Sequence, residues 1–384
     1  MTQHDFKAES LAQSKKLHGN IELNTKTPIK NEHDLSVFYT PGIGAVSSFL
    51  AKHPDQASEY TIKNNTVAVV SDGSAVLGLG NIGPFGALPV MEGKSALFKE
   101  LGDLDAFPIC LDTQDVDEIV AAVKHIAPVF AGINLEDIAA PNCFEIEKRL
   151  QQELDIPVIH DDQHATAIVV LAGLINALKV TSRDTKSSSV VLIGAGAAGN
   201  GVAKLLLAHG FKDIVAVDSK GIVSSNRQDL DPEKKNLALI TNPQNIDGDL
   251  SRAVEGRDVL IGLSGRPDLV SAELVRSMKP NPIVFALGNP NPEILPDVAT
   301  GAGAAVVATG RSDFPNQINN ALVFPGMFKG VIKARLKRID DGHKLLAAQA
   351  LAGVVQAPTP NMIVPSVFDK LVVPAIVASL EQKL

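Results

Sequence analysis

From residue 190 onward, short β-branched apolar runs recur along the chain: 190–193, 214–217, 259–263, 283–287 and 305–308. Segments with apolar residues at helical spacing lie between several of them, at 197–209 and 271–278. Runs this short and this uniformly apolar suit strands buried on both faces. Their alternation with helices predicts βαβ units and a parallel sheet. The first half is also mixed α/β, with strands predicted at 66–70 and 108–111. From residue 326 the pattern is largely helical and is broken by Pro358, Pro360 and Pro365. The polar stretch TSRDTKSSS, 181–189, reads as a linker-like segment.

A chain of 384 residues is long for one core and suggests two domains. We expect an N-terminal α/β catalytic domain over 1–160. The rest, 161–384, should be a doubly wound parallel sheet with a helical C-terminal segment. At 45% hydrophobic and 20% charged the composition is ordinary for a soluble globular protein. The formal charge of −8 argues against nucleic acid as a partner. The longest apolar stretch, 168–178, is too short to cross a bilayer, and the N-terminus has no apolar signal core. Cys110 and Cys143 are far apart and form no CxxC pair. They read as reduced thiols of a cytoplasmic protein that needs no membrane partner.

Directly after the strand SSVVLIG comes Gly194-Ala195-Gly196-Ala197-Ala198-Gly199, a GxGxxG opening a helix. The first Gly permits a tight turn, the second a close approach of pyrophosphate, and the third close packing of helix on strand. The helix N-terminus then offers free N–H groups and a positive dipole end. Asp218 ends the next strand about twenty residues on, where an acidic side chain can hold the ribose hydroxyls of NAD. These features predict a Rossmann-type unit that prefers NAD. Lys220, two residues later, keeps NADP open, because a cation there can meet a 2′-phosphate.

Two acidic pairs end apolar runs: Glu136-Asp137 and Asp161-Asp162. Converging carboxylates with no cation beside them in sequence suit a hard divalent ion, Mg²⁺ or Mn²⁺. The alternative is a solvated turn in which Asp161 or Asp162 caps a helix beginning near Gln163. His160 and His164 have a zinc-like spacing, but no Glu follows the first His in the HExxH manner. Lys94 opens a helical pattern after a glycine-rich wrap, and beside carboxylates a lysine can be tuned to act as a base. Tyr39, one of only two tyrosines, can be a general acid or a packing residue. Asn289 and Asn320 follow or adjoin strand-like runs, where α/β sheets form their sites.

The segments YTPGIG, SDGSAVLGLGNIG, NLEDI, HDDQHATA, GAGAAG, ALGNPNPE and NNALVFPG, with the Lys94 stretch, occur in an order that resembles the malic enzyme family in its short bacterial form. The resemblance runs from about residue 30 to 340. It implies oxidative decarboxylation of (S)-malate to pyruvate and CO₂ with reduction of NAD or NADP and a divalent metal. It further implies Tyr39 as general acid, Lys94 as general base, and Glu136, Asp137 and Asp162 as metal ligands. Asp161 matches an acid that supports the lysine. Asn289 and Asn320 match substrate-binding asparagines, with Lys94 also touching substrate and Asn289 also near the cofactor. A homodimer is expected.

One departure stands out. The large eukaryotic members carry an arginine that grips a malate carboxylate, and the aligned residue here is Ala75. Rival readings are an oxaloacetate decarboxylase or malolactic enzyme of the same family, an amino-acid dehydrogenase, and a non-catalytic dinucleotide sensor. The acidic pairs argue against the dehydrogenase, whose chemistry needs no metal, and the intact Tyr39, Lys94 and three candidate ligands argue against the sensor.

Overall fold

A computed structural model describes residues 6–76 and 79–381 of the chain. Leu77 and Gly78, within the glycine-rich wrap, lie outside the described residues. The chain begins with four helices, α1 (Phe6–Leu17), α2 (Glu32–Phe38), α3 (Ile43–Lys52) and α4 (Ala57–Tyr60). None of their described residues is buried. Next come β1 (Thr66–Ser71), α5 (Gly83–Gly102), β2 (Asp105–Cys110), α6 (Val116–Ile126), β3 (Gly132–Leu135), α7 (Asn142–Glu153) and β4 (Val158–His160). These strands form a four-stranded sheet, ordered β2-β1-β3-β4 and parallel throughout.

Helix α8 (Asp161–Val180) leads into the second unit: β5 (Ser189–Ile193), α9 (Ala197–His209), β6 (Asp213–Asp218), β7 (Gly221–Ile222), α10 (Pro232–Ile240) and α11 (Leu250–Val254). It continues with β8 (Val259–Gly262), α12 (Ala272–Ser277), β9 (Ile283–Ala286), α13 (Pro296–Gly301) and β10 (Val306–Thr309). The sheet order is β10-β9-β8-β5-β6-β7, parallel except for the short β6–β7 ribbon. The order reverses beside β5, where strands run outward to β8 on one side and β6 on the other. Such a switch point opens a crevice at the carboxyl ends of the strands. Three further helices follow: α14 (Phe324–Lys333), α15 (Asp341–Val354) and α16 (Val372–Glu381).

The apolar runs read as strands are strands, with ends differing by one to three residues. The 160/161 boundary coincides with the β4–α8 junction, yet the core does not divide there. One buried cluster joins Val67, Val69, Met91 and Phe98 to α8, to β5 and to α14–α16. The C-terminal helices thus close the first unit as well as the second: Phe324 and Phe328 of α14 pack against Phe98 of α5.

By length and composition α8 is apolar enough to cross a membrane, which the 168–178 run taken alone did not suggest. However, 72% of that window is buried inside the protein, and the helix starts on two carboxylates. It is the central core helix, crossed closely by α9. At that crossing a Cβ on Gly201 would lie 2.3 Å from the Gln163 carbonyl oxygen, so only glycine fits.

Candidate active site

The site begins with Lys94. On α5 the buried positions Ala87, Met91, Lys94, Ser95 and Phe98 follow helical spacing, so the lysine lies on the face that packs inward. A buried ammonium needs partners, and it has them. Its Nζ lies 2.6 Å from Asp161 Oδ2 and 2.9 Å from Glu136 Oε1. The Phe324 ring stands 4.1 Å away, centroid to Nζ, as a cation–π neighbour. Burial opposes the charge on Lys94, but the fields of Asp161 and Glu136 outweigh it and hold the ammonium above its ordinary range. Burial likewise pushes Glu136 and Asp161 upward, only partly opposed by Lys94.

Glu136 follows the last residue of β3, and Asp161 and Asp162 follow the last residue of the adjacent β4. Neighbouring parallel strands therefore bring the two acidic pairs together at one sheet end. Ligand oxygens of Glu136, Asp161 and Asp162 lie within 4.8 Å of one another. Asp161 Oδ1 is buried and has no hydrogen-bond partner among the described residues. Three carboxylates thus converge, two of them on one ammonium, a donor set suited to a hard divalent cation.

The capping alternative does not describe these residues. Helix α8 starts at Asp161, its N-cap is His160, and no side chain caps it. Asp161 and Asp162 instead occupy its first turn, where the dipole favours negative charge. Asp162 Oδ2 accepts the Asp137 backbone N–H at 3.0 Å. Asp137 is buried with a left-handed backbone, φ 53°. The tightest ligand group is Glu136, Asp161 and Asp162, and Asp137 lies close enough for its charge to act on Glu136.

Asn320 is drawn in. Its Nδ2 donates to Asp161 Oδ2 at 2.8 Å, and its Oδ1 accepts from Thr166 Oγ1 at 3.0 Å. Asn289 is not. It is exposed beyond β9 with its amide over Gly310, and no hydrogen bond joins it to the Lys94 cluster among the described residues. Tyr39, at the C-terminal end of α2, is 62% exposed, and no hydrogen bond or ion pair links it to Lys94. Ala75 donates its N–H to the Asp137 carbonyl at 2.9 Å, so the segment after β1 packs on the Glu136-Asp137 turn. His164 Nε2 faces Glu147 at 2.9 Å, and His160 is fully buried. Neither belongs to the carboxylate group.

Two contributors carried no role in the sequence reading. Asn134 donates from Nδ2 to Glu136 Oε2 at 2.8 Å. It lies two residues before Glu136 on β3, on the same face, and a polar residue in a fully buried strand is a usable signal. Phe324 gives no such signal, because nothing local separates it from other core aromatics.

A second feature is a cavity of about 670 Å³ at the switch point. Gly194, Gly196, Asp218, Lys234 and Ser264 line one side and Phe144 of α7 the other. A Cβ on Gly199 would lie 1.9 Å from the Gly194 carbonyl oxygen, and one on Gly194, at φ 116°, would lie 2.7 Å from the Leu263 carbonyl oxygen. These glycines are sterically required. Ala197 and Ala198 begin α9 directly after Gly196, which lines the cavity.

The malic enzyme N-terminal domain matches residues 18–151, and the malic enzyme NAD-binding domain matches residues 163–379. An NAD-dependent malic enzyme of Geobacillus stearothermophilus is 54% identical over 92% of this chain and 74% of its own. A bifunctional malic/malolactic enzyme of Bacillus subtilis is 49% identical, covering 97% of this chain and 91% of its own. The crystal structure of an NAD-dependent malic enzyme from Thermotoga maritima superposes with a TM-score of 0.94 at 46% identity, covering 99% of both chains. The chain therefore belongs to the malic enzyme family and is an NAD(P)-dependent oxidoreductase of oxidative malate decarboxylation.

Proposed function

We propose that Lys94, set between Glu136 and Asp161, is the general base for malate, with Asp161 and Asn320 fixing its position. The observation that carries this reading is the buried Lys94–Asp161–Asn320 chain, in which a base is aimed and its charge is controlled. Lys94 must give up a proton before it can take one, and Asp161, 2.6 Å away, is the carboxylate placed to receive it. Lys94 then accepts the C2 hydroxyl proton as hydride leaves C2 for the nicotinamide ring. Asn320 can hold a malate carboxylate, and Lys94 touches the substrate at its C2 hydroxyl. Asn289, at the carboxyl end of β9, is the further candidate for substrate or nicotinamide contact. Asp218 is assigned to the ribose.

Glu136, Asp161 and Asp162, with Asp137 beside them, would hold Mg²⁺ or Mn²⁺. The orphaned Asp161 oxygen and the excess of carboxylate over ammonium support that fit. When bound, such a cation polarises the substrate hydroxyl and ketone and serves as an electron sink for loss of CO₂.

Tyr39 is the proposed proton donor to C3 of the enolate. Its neighbours along the chain, Leu35, Val37, Phe38 and Ile43, are exposed as well. An apolar surface of this kind supports a homodimer, and its burial on assembly gives Tyr39 a route toward the site. Free Cys110 and Cys143 support a reducing, cytoplasmic setting.

The test is malate with Mn²⁺, NAD or NADP, following pyruvate and reduced cofactor together. Pyruvate and reduced cofactor in equal amounts support the reading. Lactate without net cofactor reduction would point instead to malolactic chemistry, which the bifunctional Bacillus subtilis relative combines with the malic reaction.

A further inference from the structure

The buried face of α7 carries Cys143, Ile146, Glu147 and Leu150, a helical stripe in which one position is a carboxylate. Burying a carboxylate is costly unless donors surround it. Glu147 has them. Its Oε1 accepts the His160 backbone N–H at 2.8 Å and Gln151 Nε2 at 3.3 Å. Its Oε2 accepts Gln163 Nε2 at 3.2 Å, and His164 Nε2 lies 2.9 Å from Oε1 and 3.0 Å from Oε2. Gln151, one turn along α7, also donates to the Val158 carbonyl at 3.1 Å. Burial opposes the charge on Glu147, but His164 and His160 more than offset it and hold the carboxyl below its usual range.

Three of these donors belong to the β4–α8 junction, and the two residues they enclose are Asp161 and Asp162. Residue 160 is held through its backbone, and 163 and 164 are held through their side chains. Glu147 itself belongs neither to the group of converging carboxylates nor to the Lys94 pairs. Asp161 and Asp162 share the first turn of α8, so any rotation of that turn moves both at once. It would also lengthen the 2.6 Å contact between Asp161 and Lys94.

We propose that Glu147 is a positioning residue that fixes the first turn of α8, so that Asp161 and Asp162 meet Glu136 at the spacing a divalent cation needs. It acts through the junction and touches neither substrate nor cation. The inference rests on the reading that Glu136, Asp161 and Asp162 hold that cation. Glu147 does not line the switch-point cavity, so the dinucleotide serves as an internal control.

The test uses the full chain and titrates Mn²⁺ alone, without malate, with NAD titration, kcat and thermal unfolding alongside. Glu147→Ala takes the acceptor from every donor of the junction. It should weaken Mn²⁺ binding by about 10- to 100-fold and lower kcat, the usual scale for a residue that orients metal ligands. NAD binding should not change. Glu147→Gln keeps the volume and one acceptor oxygen for the His160 N–H, so it should recover part of the loss. It also covers the case in which the alanine variant does not fold. Ile146→Val trims the same face of α7 without removing a hydrogen bond, and should lower stability while sparing Mn²⁺ binding. Glu147 variants that bind Mn²⁺ like the parent, or an Ile146→Val variant that loses Mn²⁺ as they do, would overturn the positioning role. Asp162→Asn separates the two readings: if it too binds Mn²⁺ like the parent, the cation site itself fails.

Discussion

Asp161 Oδ2 takes two donors, Lys94 Nζ at 2.6 Å and Asn320 Nδ2 at 2.8 Å, while its twin Oδ1 is buried with no hydrogen-bond partner among the described residues. One oxygen therefore joins the lysine to the asparagine. Lys94→Ala should lower malate oxidation by about 10² to 10⁴, the usual scale of a lost general base. Metal-free stability should also fall, because the variant leaves two buried carboxylates without their cation. Steady-state rates and thermal unfolding check both, and turnover within a few-fold of the parent would remove Lys94 from the role of base.

Asp162→Asn should weaken Mn²⁺ binding strongly and raise the half-saturating concentration, since hard cations select anionic oxygens. The Asp137 N–H can still find an acceptor in the amide, so the fold should hold. Rate against Mn²⁺ concentration is the measurement. A variant with the parent's half-saturation point would exclude Asp162 from the ligand set.

Tyr39→Phe should spare dinucleotide binding and impair the later proton transfer to C3. Because the side chain is 62% exposed and outside the core, its loss should leave thermal stability within about 0.5 kcal/mol. The outcome that contradicts this role is full recovery of pyruvate formation simply by raising malate.

Gly201→Ala should destabilise the protein by about 1–3 kcal/mol, because the new methyl lies 2.3 Å from the backbone oxygen of Gln163 and backbone cannot rotate away. The resulting shift of α8 should also reduce activity, since that helix carries Asp161 and Asp162. Chemical denaturation alongside kcat tests the pairing. A stable, fully active alanine variant would show that the two helices can separate freely.

Asp258 predicts a pH dependence. Burial opposes its charge, but Lys279, the Ser189 N–H and hydroxyl, and Arg183 hold its carboxyl below the ordinary range. A depressed folded-state pKa gives stability that is present above the unfolded value of about 3.9 and is lost as pH falls through the folded one. Asp258→Asn should therefore be less stable than the parent at pH 7, with the gap closing below about pH 3.9. Denaturant midpoints across pH would show it, and a gap that stays constant would refute the linkage.

Much of this was legible along the chain, and the reason is local. A buried parallel strand must be apolar throughout, so Ser189–Ile193, Val259–Gly262 and Ile283–Ala286 announce themselves by composition. The glycines at 194 and 199 are required by contacts within a few residues or with the adjacent strand, so the fingerprint carries its own explanation. The acidic pairs could be seen to end apolar runs, and Lys94 to open a helix. Asp218 was likewise identifiable by its distance from the third glycine.

What only the tertiary structure decided is which atoms meet. Ligand oxygens of Asp161, Glu136 and Asp162 come within 4.8 Å of one another because β3 and β4 are neighbours in one sheet, a pairing that composition does not encode. Asn320 reaches Asp161 from 159 residues away, and Phe324 covers Lys94 from the C-terminal helices. Arg227 reaches Asp218 from a loop and Lys234 reaches it from the first turn of α10, two segments whose convergence no periodic signal records. Periodicity records which face of an element is buried, because burial acts on each residue separately. Convergence of charges depends on how sheets and helices are stacked, and that is set by the whole core at once.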